Sequence, residues 1–207
     1  GELPCLDASP ARWSEVVPSA ATGMGLLVMV AAWVAAALLL RRHGRGADAR
    51  CVAHVGAGTA VMSLLLMTGF GLLRESAPVG LSVAYAVYAA TALVLAMRRR
   101  RGPLAWLAAV LLGCALVHGV VCEWAPTGRP MVDGQWALVM LGTLLIGAGG
   151  LARRCEPVRI AMHRSAAAGA MAAAALLSLT VALPGSWSLA LRAGAVALVW
   201  LAVSLAR

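Results

Sequence analysis

Seven runs of about twenty apolar residues, joined by connectors too short to fold alone, leave this chain one suitable solvent, the hydrocarbon of a bilayer. The runs cover approximately residues 18–40, 51–73, 78–97, 103–122, 134–152, 165–183 and 186–206. Hydrophobic side chains make up 62% of the 207 residues, more than a soluble fold of this size can hide. The pattern predicts an all-α integral membrane bundle of seven transmembrane helices in a single domain. A short polar, mildly acidic segment, residues 1–17, precedes it and carries no signal-peptide pattern.

Charge sets the expected orientation. A net charge of +9 would suggest nucleic acid if it formed one exposed stripe, but here the arginines sit between the apolar runs. Arg41, Arg42, Arg45 and Arg50 follow the first run, Arg98 to Arg101 the third, Arg153, Arg154, Arg159 and Arg164 the fifth, and Arg207 closes the chain. Alternate connectors hold only Arg12, Arg74 and Arg129. The acids show the opposite bias, with Asp48 and Glu156 alone on the arginine side. The positive-inside rule then predicts an N-out/C-in protein of a bacterial cytoplasmic membrane, in contact with lipid and not with nucleic acid.

All seventeen basic residues are arginine, a bias expected of a high-GC genome, and the absence of lysine excludes a retinal Schiff base. At an offset of 109 residues His54 falls on His163, Met62 on Met171 and Arg98 on Arg207. That register suggests a 3+1+3 parallel repeat with the fourth helix as linker.

Inside a bilayer the informative residues are the polar ones, because protein or water must satisfy each. Arg192 is the one charge well within a predicted helix, roughly 9 Å from its outer boundary at the α-helical rise. It reads either as a snorkelling or ion-paired side chain or as a binding group for a phosphate or carboxylate. Glu75, Glu123 and Asp133, with Trp124, Trp136 and Trp187, fall at the outer ends. They read as solvated acids within an aromatic belt, or as the acid–base groups and walls of an outward-facing cavity.

Cys114, His118 and Cys122 are spaced by four and would share one face of the fourth helix. At most two of them can bind one ion, since the outer pair lies about 12 Å apart along the axis. Cys5 and Cys122 would both face the oxidising side, where a disulfide can form. His54 with Met62, and His163 with Met171, are each eight apart, and imidazole with thioether favours a soft ion such as Cu(I). Filler methionines and interfacial histidines are the plain alternative.

An arginine-rich first connector followed by a helix that opens on His54 and carries Met62 and Met67 resembles an uncharacterised family of small multi-pass proteins of high-GC Gram-positive bacteria. The resemblance implies topology and origin, and no activity. The sequence contains no Walker loop, HExxH, GxSxG or CxxC.

Three functions remain open. The first is binding or passage of a soft transition metal, copper, through His54, Met62, Cys114, His118, His163 and Met171. The second is an intramembrane enzyme on a lipid or isoprenoid, lipid-modifying or terpenoid cyclase-like, with Glu75, Glu123 or Asp133 as acid or base and Arg192, Trp124, Trp136 and Trp187 around the substrate. The third is an accessory subunit of a membrane complex, packed through small-residue helix faces.

Overall fold

Which apolar runs become helices, and where each begins, follows from caps and glycines. A computed structural model of the chain describes residues 19–71, 80–124, 130–180 and 186–205. The helices are α1 (Ala20–Arg42), α2 (Gly46–Gly71), α3 (Leu81–Arg99), α4 (Gly102–His118), α5 (Pro130–Leu151), α6 (Glu156–Thr180) and α7 (Ser186–Leu205). A π-helical segment, Gly119–Trp124, continues α4. No strand occurs among the described residues. Six of the helices are long and apolar enough to cross a membrane, and α7 adds a shorter apolar stretch, Leu191–Val203. The chain is an all-helical, multi-pass membrane protein.

Two helices begin well before the apolar runs do. α6 starts at Glu156 rather than near Ser165, which places Arg159, His163 and Arg164 on its first turns instead of in a connector. Pro157 does not oppose this, because the first turn of a helix leaves its N–H groups unbonded in any case. α2 starts at Gly46, with Asp48 in its first turn held 2.7 Å from the Arg45 guanidinium.

Residues 1–78 and 79–207 form two compact units. In the first, α1 and α2 make a hairpin. Ser19 caps α1, its hydroxyl accepting from the Thr22 amide at 3.2 Å. At the other end Gly44 takes a left-handed φ of 76°, and the amides of Gly44 and Arg45 donate to the Arg41 and Leu40 carbonyls. This is a Schellman stop, and it turns the chain directly into α2.

The small residues Ala49, Gly56 and Ser63 recur every seven positions on the buried face of α2, and Met67 follows. That spacing suits close antiparallel packing. Gly23 lies so near that an added Cβ would stand 2.8 Å from Met67 Cγ and 2.9 Å from the Ser63 carbonyl oxygen. The Ser63 hydroxyl donates to the Gly23 carbonyl at 2.6 Å. Gly23→Leu is therefore expected to open the hairpin at a cost of about 1–3 kcal/mol. Crosslinking between cysteines placed across the two helices would report it, and undiminished crosslinking would contradict the packing.

In the second unit α3 packs on α4, α5 on α6, and α4 joins the two pairs, while α7 packs on α5 and α6. Alanines fill much of the shared core, including Ala92, Ala96, Ala105, Ala109, Ala166 and Ala170 around Leu141, Leu145 and Met162. Small side chains bring the backbones close, as expected where lipid tails supply no hydrophobic drive between helices. Connectivity then sorts the polar residues. Arg98–Arg101, Arg153 and Arg154 gather at one end, and Ser82, His118, Glu123, Asp133, Gln135 and Arg192 fall toward the other.

Candidate functional site

The polar end of the second unit is built on the π segment. Five residues along an α-helix point to different faces, but i→i+5 winding lays residue i+5 back over residue i. His118 Nε2 accordingly lies 3.3 Å from Glu123 Oε1. A carboxylate only accepts, so the contact places a proton on that nitrogen. The same winding ends the α-helical register at His118, and the expected Cys114–His118–Cys122 stripe does not continue in it to Cys122.

Glu123 also serves α3. That helix opens on Gly80, at φ 89° and with no side-chain cap of its own. The Glu123 carboxylate supplies the missing acceptor, taking the Ser82 amide at 3.3 Å on Oε1 and the Ser82 hydroxyl on Oε2. An anion at a helix N-terminus is favoured by the unpaired amides and the helix dipole. Ser82 and His118 are fully buried, and the Glu123 side chain is 14% exposed. The order Ser82–Glu123–His118 puts the carboxylate in the middle, so the imidazole does not touch the hydroxyl it would have to deprotonate in a nucleophilic triad. Glu123 is an anchor saturated with donors.

A second polar group sits on α5 and α7. Arg192 is only 2% exposed, so it does not snorkel, and its Nη1 donates to Gln135 Oε1 at 3.4 Å. Asp133, in the first turn of α5, is buried as well. Arginine can only donate, which fixes the Gln135 amide with its oxygen toward Arg192 and its nitrogen away. Among the described residues that buried nitrogen has no hydrogen-bond partner. A buried donor left unmatched costs about 1–3 kcal/mol, which makes the spot a natural place for an acceptor.

Of the expected site residues, Glu123, His118, Asp133 and Arg192 thus share the polar end of one unit. Trp136 is 38% exposed on α5, as an interfacial tryptophan would be. Glu75 and Cys5 lie outside the described residues, as do the side chains of Trp124 and Trp187. The residues expected to hold metal are divided between the two units, His54 and Met62 in the first and Cys114, His118, His163 and Met171 in the second. His54 Nδ1 is engaged with the Arg50 carbonyl at 2.7 Å on α2. Met62 and Met171 are 53% and 54% exposed. His163 lies against Gly149, where an added Cβ would meet its ring at 2.5 Å. Cys114 is half-buried on α4. Among the described residues no group of three or more His, Cys, Asp or Glu side chains forms a metal-holding cluster.

Gln135 and Ser82 were missed by sequence reasoning. Gln135 had a usable signal, an amide embedded in an apolar run two residues from Asp133. Ser82 had none, because its partner is set by the π turn.

Comparison with protein-family models, with curated proteins and with solved structures gave no match. Fold and site define a polytopic helical membrane protein with a buried polar core at one end of its second unit.

Proposed function

We propose that the second unit binds an amphipathic molecule through an anionic or strongly accepting head group, a phosphate or carboxylate, placed at Gln135 and Arg192. The observation that carries this reading is the orphaned Gln135 amide nitrogen beside a buried guanidinium. A buried amide donor in low-dielectric surroundings, next to a positive charge, forms half of a recognition site whose other half is an acceptor. Intramembrane ionisable residues facing a bundle interior commonly mark ligand paths.

With the arginine clusters facing the cytoplasm, the chain lies N-out/C-in in a bacterial cytoplasmic membrane, and the polar end of the second unit lies toward the outer leaflet. Labelling of cysteines placed at 99 and 128 from opposite sides tests that orientation; labelling of both from the same side would overturn it.

Binding, rather than turnover, is what the polar groups favour. Glu123 is already committed to Ser82 and His118, which takes it out of acid–base chemistry on a lipid or isoprenoid. Protein in nanodiscs should take up a fluorescent acidic amphiphile more tightly than its neutral alcohol analogue. Arg192→Ala should weaken acid binding roughly tenfold or more while leaving the alcohol unchanged. Equal binding of acid and alcohol by the wild-type protein would defeat the proposal.

The copper reading finds less support, because among the described residues no group of three or more His, Cys, Asp or Glu side chains could hold a metal ion. Protein prepared without a histidine tag is expected to retain below about a tenth of an equivalent of copper after loading and dialysis, whereas a structural soft-metal site would hold about one.

A further inference from the structure

The opposite end of the second unit carries a cavity that the polar core does not explain. It is open, about 520 Å³ in volume, and lies where the end of α3 meets the α5–α6 turn. Met97, Gly147, Gly150 and Leu151 form its apolar wall, and Arg153 and Arg154 its charged one. The frame is held from within. The Cys155 thiol donates to the Met97 carbonyl at 3.6 Å, and the Cys155 amide donates to the Ala152 carbonyl at 2.8 Å.

Three observations indicate its occupant. Arg153 and Arg154 are exposed, and no ion pair to either occurs among the described residues. Arg98 and Arg99 add charge from the last turn of α3, whereas Glu156 is the one carboxylate nearby in sequence. An added Cβ at Gly147 or Gly150 would meet nothing within 4 Å, so both glycines leave open space rather than close packing. Finally, Met140, Leu144, Gly147 and Leu151 follow one another on a single face of α5, and the three large side chains are 49%, 50% and 88% exposed. Gly147 is a notch in that greasy stripe, beside the cavity mouth.

We propose that this cavity is a binding site for an anionic phospholipid, with the phosphodiester between Arg153 and Arg154 and an acyl chain lying along α5 through the Gly147 notch. A basic concavity between helix ends suits a lipid head group, and its volume falls within the range of small-molecule sites. The stripe supplies what a free anion would not use. This site is independent of the one at Gln135 and Arg192.

Native mass spectrometry of the full chain, exchanged into mixed phosphatidylglycerol and phosphatidylcholine micelles, tests it. Wild-type protein should keep phosphatidylglycerol in preference. Arg153→Gln with Arg154→Gln should reduce retention roughly tenfold or more. Gly147→Leu keeps every charge and raises helix propensity, so it should fold, yet it should reduce retention comparably by filling the notch. Arg41→Gln with Arg42→Gln, the same charge change in the first unit, should leave retention within about twofold. An equal loss in this control would mean general surface attraction and overturn the site. Displacement of the lipid by millimolar inorganic phosphate, or full retention in Gly147→Leu, would overturn it too.

Discussion

Glu123→Ala is expected to remove about 3 kcal/mol or more from the stability of the second unit and to loosen the first turn of α3. The carboxylate receives the Ser82 amide and hydroxyl and faces His118 Nε2, all three in buried surroundings. Hydrogen bonds to a charged acceptor contribute about 1.5–3 kcal/mol each, and donors stranded without water cost a further 1–3 kcal/mol. These terms are not additive, since the three donors share one carboxylate, so the expected total is well below their sum. Gly80 offers no side chain to take over as cap. Denaturation of the reconstituted protein, with amide exchange at residues 81–84, would measure both effects. Glu123→Gln keeps an acceptor and should lose about half as much. A Glu123→Ala protein within about 0.5 kcal/mol of wild type, with α3 still protected, would show that the carboxylate neither caps nor anchors.

The sequence made the helices readable because a bilayer demands long apolar runs, and such runs announce themselves. Their starts were less legible where charge and helix coexist. Arg159, His163 and Arg164 read as connector, yet Glu156 and Pro157 provide a sound first turn and α6 begins there. The metal expectation rested on a pattern that is blind in a related way. Spacing by eight aligns His54 with Met62 on one helix, but it says nothing about which face turns inward, and the face of α2 buried against α1 carries Gly56, Ser63 and Met67 instead. Arg192, Glu123, His118 and Asp133 were visible as polar residues at one depth, so the site's neighbourhood was legible. Its wiring was not. The π winding after His118 changes which residues overlie one another, and Ser82 meets Glu123 only because α4 and α3 pack as they do.

A matched pair of substitutions at Gln135 separates stability from recognition. In Gln135→Leu the Arg192 guanidinium loses an acceptor at 3.4 Å within the buried polar end, and the second unit should lose about 1–3 kcal/mol. Gln135→Glu reverses the electrostatics at nearly constant shape. Its carboxylate can face Arg192 with two acceptor oxygens, so folding should be kept within about 1 kcal/mol of wild type. The group that pointed a donor into the core then points an acceptor there, beside a guanidinium already neutralised. An anionic amphiphile should consequently bind at least about a hundredfold more weakly to a protein that remains folded, whereas a neutral alcohol of the same chain length should bind about as before. A purely structural Gln135 predicts the same tolerance of Glu for stability, but with both ligands bound as they are by wild type. Acid binding that survives in a folded Gln135→Glu protein would remove the recognition role and leave Arg192 and Gln135 as a hydrogen-bonded strut between α5 and α7.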